Sequence, residues 1–180
     1  SNTRLSNYGF STILEGGGKP EDAEGIVGLL KYEHWSSYLI GKVYQSGNRP
    51  SMELVKVYGR LKKNSGDPWL VCDVLENGGD IKTLTSLAES LEDMADFNER
   101  RRLKKSKYVA SEEFLNLFNK LRPYEFKIGE IEDMFSKGFS DSDLPWITTR
   151  CEEGASSIAI LQEFYSKHGL DPNEFLSGAI

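Results

Sequence analysis

The chain reads as an α+β fold: a small antiparallel β-meander of about three strands near the N-terminus, followed by a helical C-terminal half. Three observations predict it. Between Tyr38 and Leu75, apolar residues alternate or run continuously in segments separated by turn-rich links. From Asp80 onward they recur at helical spacing instead. The switch falls at Asn77-Gly78-Gly79-Asp80, a turn signal followed by a helix-capping residue.

Residues 1–7 are polar, Ser1-Asn2 matches the remnant of a cleaved tag, and disorder is expected there. Residues 8–180 are expected to form one domain, with 8–79 the helix-plus-meander part and 80–180 the helical part. The tag remnant, together with an end at Gly178-Ala179-Ile180 inside an apolar helical pattern, leads to the expectation of a domain excised from a longer protein. Tyr8 to Leu14 suits a short strand, and Glu15 to Lys19 a flexible glycine loop. Pro20 opens a helix, with Glu21 and Asp22 at its positive end and Ala23, Ile26, Val27 and Leu30 on one face. Gly25 and Gly28 weaken that helix or admit a close neighbour.

The first strand is Tyr38 to Tyr44 and the second Met52 to Leu61. In the second, Leu54, Lys56, Tyr58 and Arg60 alternate with Glu53, Val55 and Val57. The third, Trp69 to Leu75, is apolar on both faces and is placed mid-sheet. The short links Ser46–Pro50 and Asn64–Pro68 imply antiparallel pairing.

Asp80 caps a helix bearing Leu84, Leu87, Leu91, Met94 and Ala95, which is expected to continue to about Lys107. Ser111 caps the next, with Phe114, Leu117, Phe118 and Leu121 on one side and Pro123 ending it. Ile128, Ile131, Met134 and Phe135 form another stripe, closed by Gly138. Ser140 to Trp146 is read as a loop or single turn. Thr149 and Glu152 form the capping box of a helix carrying Ile158, Leu161, Phe164 and Tyr165, which Gly169 ends and Leu170 seals. Asp171 starts a last helix.

Composition narrows the function. Hydrophobic residues make up 38%, enough for a core without disulfide or metal. A net charge of −6 argues against a nucleic-acid-binding surface over the whole domain. No apolar run approaches the ~20 residues of a membrane span. An intracellular protein, cytoplasmic or nuclear and without membrane contact, is expected. Cys72 lies in an apolar run and reads as a buried thiol; Cys151, beside Arg150, reads as the more reactive of the two, and a disulfide between them is left open.

No constellation converges on catalysis. Gly18-Lys19 is followed by Pro20 where a phosphate loop needs Ser or Thr. His34 and His168 are isolated, and with the two cysteines they lack paired zinc-ligand spacing. His168, in a last helical turn, is expected to face the helix dipole. Asp67, Asp73 and Asp80-Ile81-Lys82, with His34, weakly match the acidic-plus-lysine pattern of metal-dependent nucleases. No cofactor and no metal site is implied.

The strongest charge feature is the run Arg100, Arg101, Arg102, Lys104, Lys105 and Lys107. It suits phosphates of RNA or DNA, or an acidic partner; Tyr108 is read as the only aromatic close by, without the interleaved stacking platform of single-strand binders. On an unbroken helix, Asp96 and Arg100 would pair at i,i+4. Trp146, in a polar loop, and Tyr124 and Phe126, just past Pro123, are candidate interface anchors. By elimination, the sequence favours a non-enzymatic protein-interaction or assembly module, acting on a protein partner or by self-association. Nucleic-acid binding through 100–107 and a metal-dependent nuclease are the alternatives.

Overall fold

The computed structural model describes residues 11, 13–15, 18–20, 37–48, 51–65, 67 and 69–174. Among them it is helical, with no β-strand. The expected meander is therefore overturned, and all three of its strands are helices: α1 (Ser37–Gln45), α2 (Met52–Ser65) and α3 (Leu70–Glu76). Then follow α4 (Ile81–Asp93), α5 (Phe97–Lys105), α6 (Glu112–Leu121), a 3₁₀ turn at Arg122–Tyr124, α7 (Ile128–Ser136), α8 (Leu144–Glu152) and α9 (Ser157–Lys167). Among the described residues, no helix is long and apolar enough to cross a membrane.

The error in the second segment has a specific cause. Helix α2 buries Leu54, Val55, Val57, Tyr58 and Leu61. That is i, i+1, i+3, i+4 and i+7, the stripe of a period near 3.6. The alternating reading grouped Lys56 with Leu54 and Tyr58, yet Lys56 is exposed while the other two are buried. Helix α3 buries Leu70, Val71, Cys72, Val74 and Leu75, and so short an apolar run carries no period that separates helix from strand. The turn residues between these segments serve helix ends instead. Ser51 Oγ accepts from the Leu54 N–H at 3.1 Å, and Asp67 Oδ1 from the Trp69 N–H at 2.9 Å.

Gly78 and Gly79 close α3. Gly78 has φ +88°, which favours glycine. A Cβ on Gly79 would lie 2.5 Å from Val74 Cγ1 and 3.0 Å and 3.2 Å from the carbonyl oxygens of Val74 and Ala110. Asp80 then caps α4, accepting from the Thr83 N–H at 2.9 Å while Thr83 Oγ1 accepts from the Asp80 N–H at 3.2 Å.

The expected long helix to Lys107 is broken. Met94 is extended (ψ 118°), and Asp96 caps a new helix by accepting from the Glu99 N–H at 2.9 Å. Arg100 does not pair with Asp96; its Nε donates to the Met94 carbonyl inside the break. The expected start at Thr149 also fails. Thr149 and Glu152 lie within α8, which Pro145 opens inside the segment read as a loop, and Ser156 caps α9.

The chain divides into two compact units, Ser1–Glu112 and Glu113–Ile180. In the first, α2 packs against α3, α4 and α5, and α1 against α3. Arg60 and Glu92 join α2 to α4 through two hydrogen bonds of 2.9 Å and 2.7 Å. In the second, α9 packs against α7 and α8, and the Phe114 and Phe135 rings of α6 and α7 meet edge to face at 5.5 Å. Ile13 is fully buried, and its carbonyl accepts from the Gly18 N–H at 2.8 Å; residues 13–15 are helical, where the end of a strand at Leu14 and the start of a loop at Glu15 were expected. Residues 1–10, most of the expected helix after Pro20, His34 and residues 175–180 of the helix expected from Asp171 lie outside the described residues.

Candidate functional site

The basic run starts on α5 and ends just beyond it, and the helix sorts its side chains. Leu103 is fully buried, which points the side carrying Arg100, Leu103 and Lys104 inward. Arg100 and Lys104 are half-buried. Arg100 is spent on the Met94 carbonyl. Lys104 Nζ donates to the Ser65 carbonyl at 2.7 Å, so a cation sits at the negative end of α2. Arg101, Arg102, Lys105 and Lys107 remain exposed. Lys107 Nζ lies 4.8 Å from the Tyr108 ring centroid.

One residue of this face escaped the sequence reading. Phe97, the first residue of α5, is 74% exposed. Phe97, Arg101 and Lys105 follow one another at i, i+4 and i+8, and so lie along one face of the helix. The signal was available. Asp96 followed by Glu99 is a capping pattern that starts a helix, and a helix starting there puts Phe97 in line with the cations. Reading one unbroken helix hid it.

The chain has no significant match among known protein families, curated proteins or solved structures.

The three aromatic candidates are not exposed anchors of equal kind. Phe126 is 2% exposed and belongs to a core. Tyr124 is half-buried in the 3₁₀ turn. Trp146 is half-buried in the first turn of α8, its Nε1 donating to Asp143 Oδ1 at 3.3 Å, with Lys167 Nζ 5.1 Å from the ring centroid. Asp143 is the centre of that cluster. Its Oδ1 also accepts from His168 Nε2 at 3.1 Å, and its Oδ2 from the Ser140 N–H at 2.9 Å and from Ser140 Oγ at 3.1 Å. His168 thus answers to a carboxylate and stacks on Phe164 at 4.1 Å, besides standing at the end of α9. Burial opposes charge on Asp143, but bonds from Ser140, His168 and Trp146 outweigh it and hold the carboxyl below its usual range.

Among the described residues, no three His, Cys, Asp or Glu side chains are placed to hold a metal ion. Asp80 is committed to its cap, which lowers its pKa mainly through the Thr83 N–H. Burial, then Asp67 and Glu76, raises that of Asp73. Both cysteines are free. Burial pushes the Cys72 thiol up to about 12, while Cys151 is half-buried and is raised by burial and then Glu152, so Cys151 is the more accessible of the two thiols although Arg150 does not lower its pKa.

Proposed function

We propose that this protein is a non-enzymatic interaction module that docks an acidic protein segment on the Phe97–Arg101–Lys105 face of α5. The observation that carries this reading is the exposure of Phe97 beside Arg101, Arg102 and Lys105, which are exposed and make no hydrogen bond or ion pair among the described residues. Leaving a phenylalanine in water forgoes about 1.5–3 kcal/mol of burial, so its place contributes nothing comparable to folding. A large apolar ring flanked by arginine is the usual composition of an energetic centre at a protein interface. The flanking charge selects the partner: Arg101, Arg102 and Lys105 complement Asp or Glu around an apolar residue. A nucleic acid is the weaker fit. Two of the six basic residues are spent on internal carbonyls, which leaves few cations for a phosphate backbone, and an apolar ring is matched by a peptide side chain.

The test is peptide selection on the immobilised full chain, followed by fluorescence anisotropy of the selected peptides. Selected sequences should carry Asp or Glu around Leu, Phe or Trp. Phe97→Ala, and Arg101→Glu with Lys105→Glu, should each weaken them at least about tenfold. If every selected peptide is indifferent to both changes, this face is not the docking site. RNA or DNA oligonucleotides that bind with the same dependence, where peptides do not, would replace the protein partner with nucleic acid. Concentration-dependent sedimentation abolished by Phe97→Ala would make the partner a second copy.

A further inference from the structure

A second site lies within Glu113–Ile180, independent of the α5 face. On α6, Glu113, Asn116 and Lys120 fall at i, i+3 and i+7 and are exposed. They line a cleft of ≈ 370 Å³ together with Phe135 of α7 and Phe139, Ser140 and Asp141 of the following loop. The volume is that of a small-ligand pocket. Among the described residues, the side chains of Glu113, Asn116, Lys120 and Asp141 make no hydrogen bond or ion pair within the protein. This contrasts with their surroundings. Ser140 and Asp143, in the same loop, are bonded to each other, and Glu130 accepts from both Ser157 and the Lys127 N–H. The loop is therefore ordered by Ser140 and Asp143, while Glu113, Asn116, Lys120 and Asp141 of the lining are left for an outside partner.

The lining specifies that partner's chemistry. Two carboxylates against one ammonium leave the cleft with a net negative charge. Phe135 and Phe139 supply aromatic surface, which attracts a cation and covers an alkyl stem. We propose that this cleft binds an alkylguanidinium or alkylammonium group, the chemistry of an arginine or lysine side chain. Glu113 and Asp141 hold the cationic head, Phe135 and Phe139 cover the stem, and Asn116 pairs with an adjoining amide. Lys120 takes a neighbouring carboxylate where the ligand carries one. A free amine and a side chain on a peptide share this chemistry.

The experiment titrates the full chain with N-acetyl-arginine amide, with agmatine and with the citrulline analogue of the first, by calorimetry and by NMR shifts of the Phe135 and Phe139 rings. The cations should bind with a dissociation constant in about the millimolar range, as suits so few contacts, and the neutral citrulline analogue at least about tenfold more weakly. Preference for the arginine amide over agmatine indicates a peptide ligand, and the reverse a free amine. Glu113→Gln and Asp141→Asn, both at exposed positions, should each reduce binding about fivefold or more while leaving the circular dichroism unchanged. Equal binding of arginine and citrulline compounds would overturn the proposal. So would ring shifts that do not saturate, or that persist unchanged in both variants.

Discussion

Asp143 is held by groups that bond its charged form, and this makes its contribution to stability depend on pH. Its folded pKa is lowered, so the stabilisation is present above the unfolded pKa of about 3.9 and is lost as pH falls through the folded value. Asp143→Ala should cost about 1–3 kcal/mol near neutrality, because Trp146 Nε1 and His168 Nε2 lose their acceptor. Urea melts at pH 7 and at pH 2.5 measure it: the gap between wild type and variant should narrow as the pH falls, and a gap that stays constant would mean the carboxylate charge is irrelevant. Cys72 offers a second check at this scale. It is 4% exposed with a pKa near 12, so at pH 8 Ellman's reagent should react with it only on unfolding. Rapid labelling of Cys72 in the folded Cys151→Ser variant would show that α3 opens. Neither role was legible in the sequence to the same degree. An apolar neighbourhood announced Cys72, and Ser140 and Trp146 stand three residues either side of Asp143, but its bond to His168, 25 residues on, is one that only the fold brings about.

Helices α2 and α3 show where pattern reading reaches its limit. Val55 and Val57 favour a strand by propensity, and ten residues of mixed polarity satisfy both periods. Tertiary burial decides between them, and the buried Leu61 at i+7 from Leu54 completes a helical stripe. The C-terminal helices were legible because Phe114, Leu117, Phe118 and Leu121 fit one period only, and Asp80 and Gly169 mark ends by chemistry that does not depend on packing. The basic run was legible as composition, but its division into inward and outward groups required the break at Met94. Two substitutions test the α2 assignment. Leu61→Ala should cost about 2–5 kcal/mol by chemical denaturation, whereas Lys56→Ala should be nearly neutral. A strand would instead put Lys56 on the buried side with Leu54 and Tyr58, and a large loss at Lys56 would restore that reading. Gly79→Ala tests the end of α3. Its Cβ would meet two backbone carbonyls, which cannot rotate away as a side chain can, so a loss of about 1–3 kcal/mol is expected. An unchanged denaturation midpoint would show that Gly79 is not pressed against Val74 and Ala110.

At the scale of the whole molecule, the division at Glu112 and Glu113 leaves each unit with its own buried residues. Leu54, Leu61, Leu84, Leu87 and Leu91 are fully buried in one, and Phe114, Phe118, Ile131, Leu161 and Phe164 in the other. Domains of about 55–65 residues already fold alone, so neither unit is too small to be a cooperative body. The two proposed sites sit in different units, and each keeps its geometry only while its own unit stays folded. This leads to a prediction that joins stability to function. Leu87→Ala should destabilise the first unit by about 2–5 kcal/mol. Hydrogen exchange should then accelerate across α2, α4 and α5, while the amides of α7 and α9 keep their protection. Peptide docking at Phe97 should weaken at denaturant concentrations that leave cation binding beside Glu113 intact. Ile131→Ala should do the converse, exposing α7 and α9 and sparing the α5 face. Acceleration of every amide by either variant would mean that the two units unfold as one, and neither binding activity would then be separable from the other by mutation of the cores.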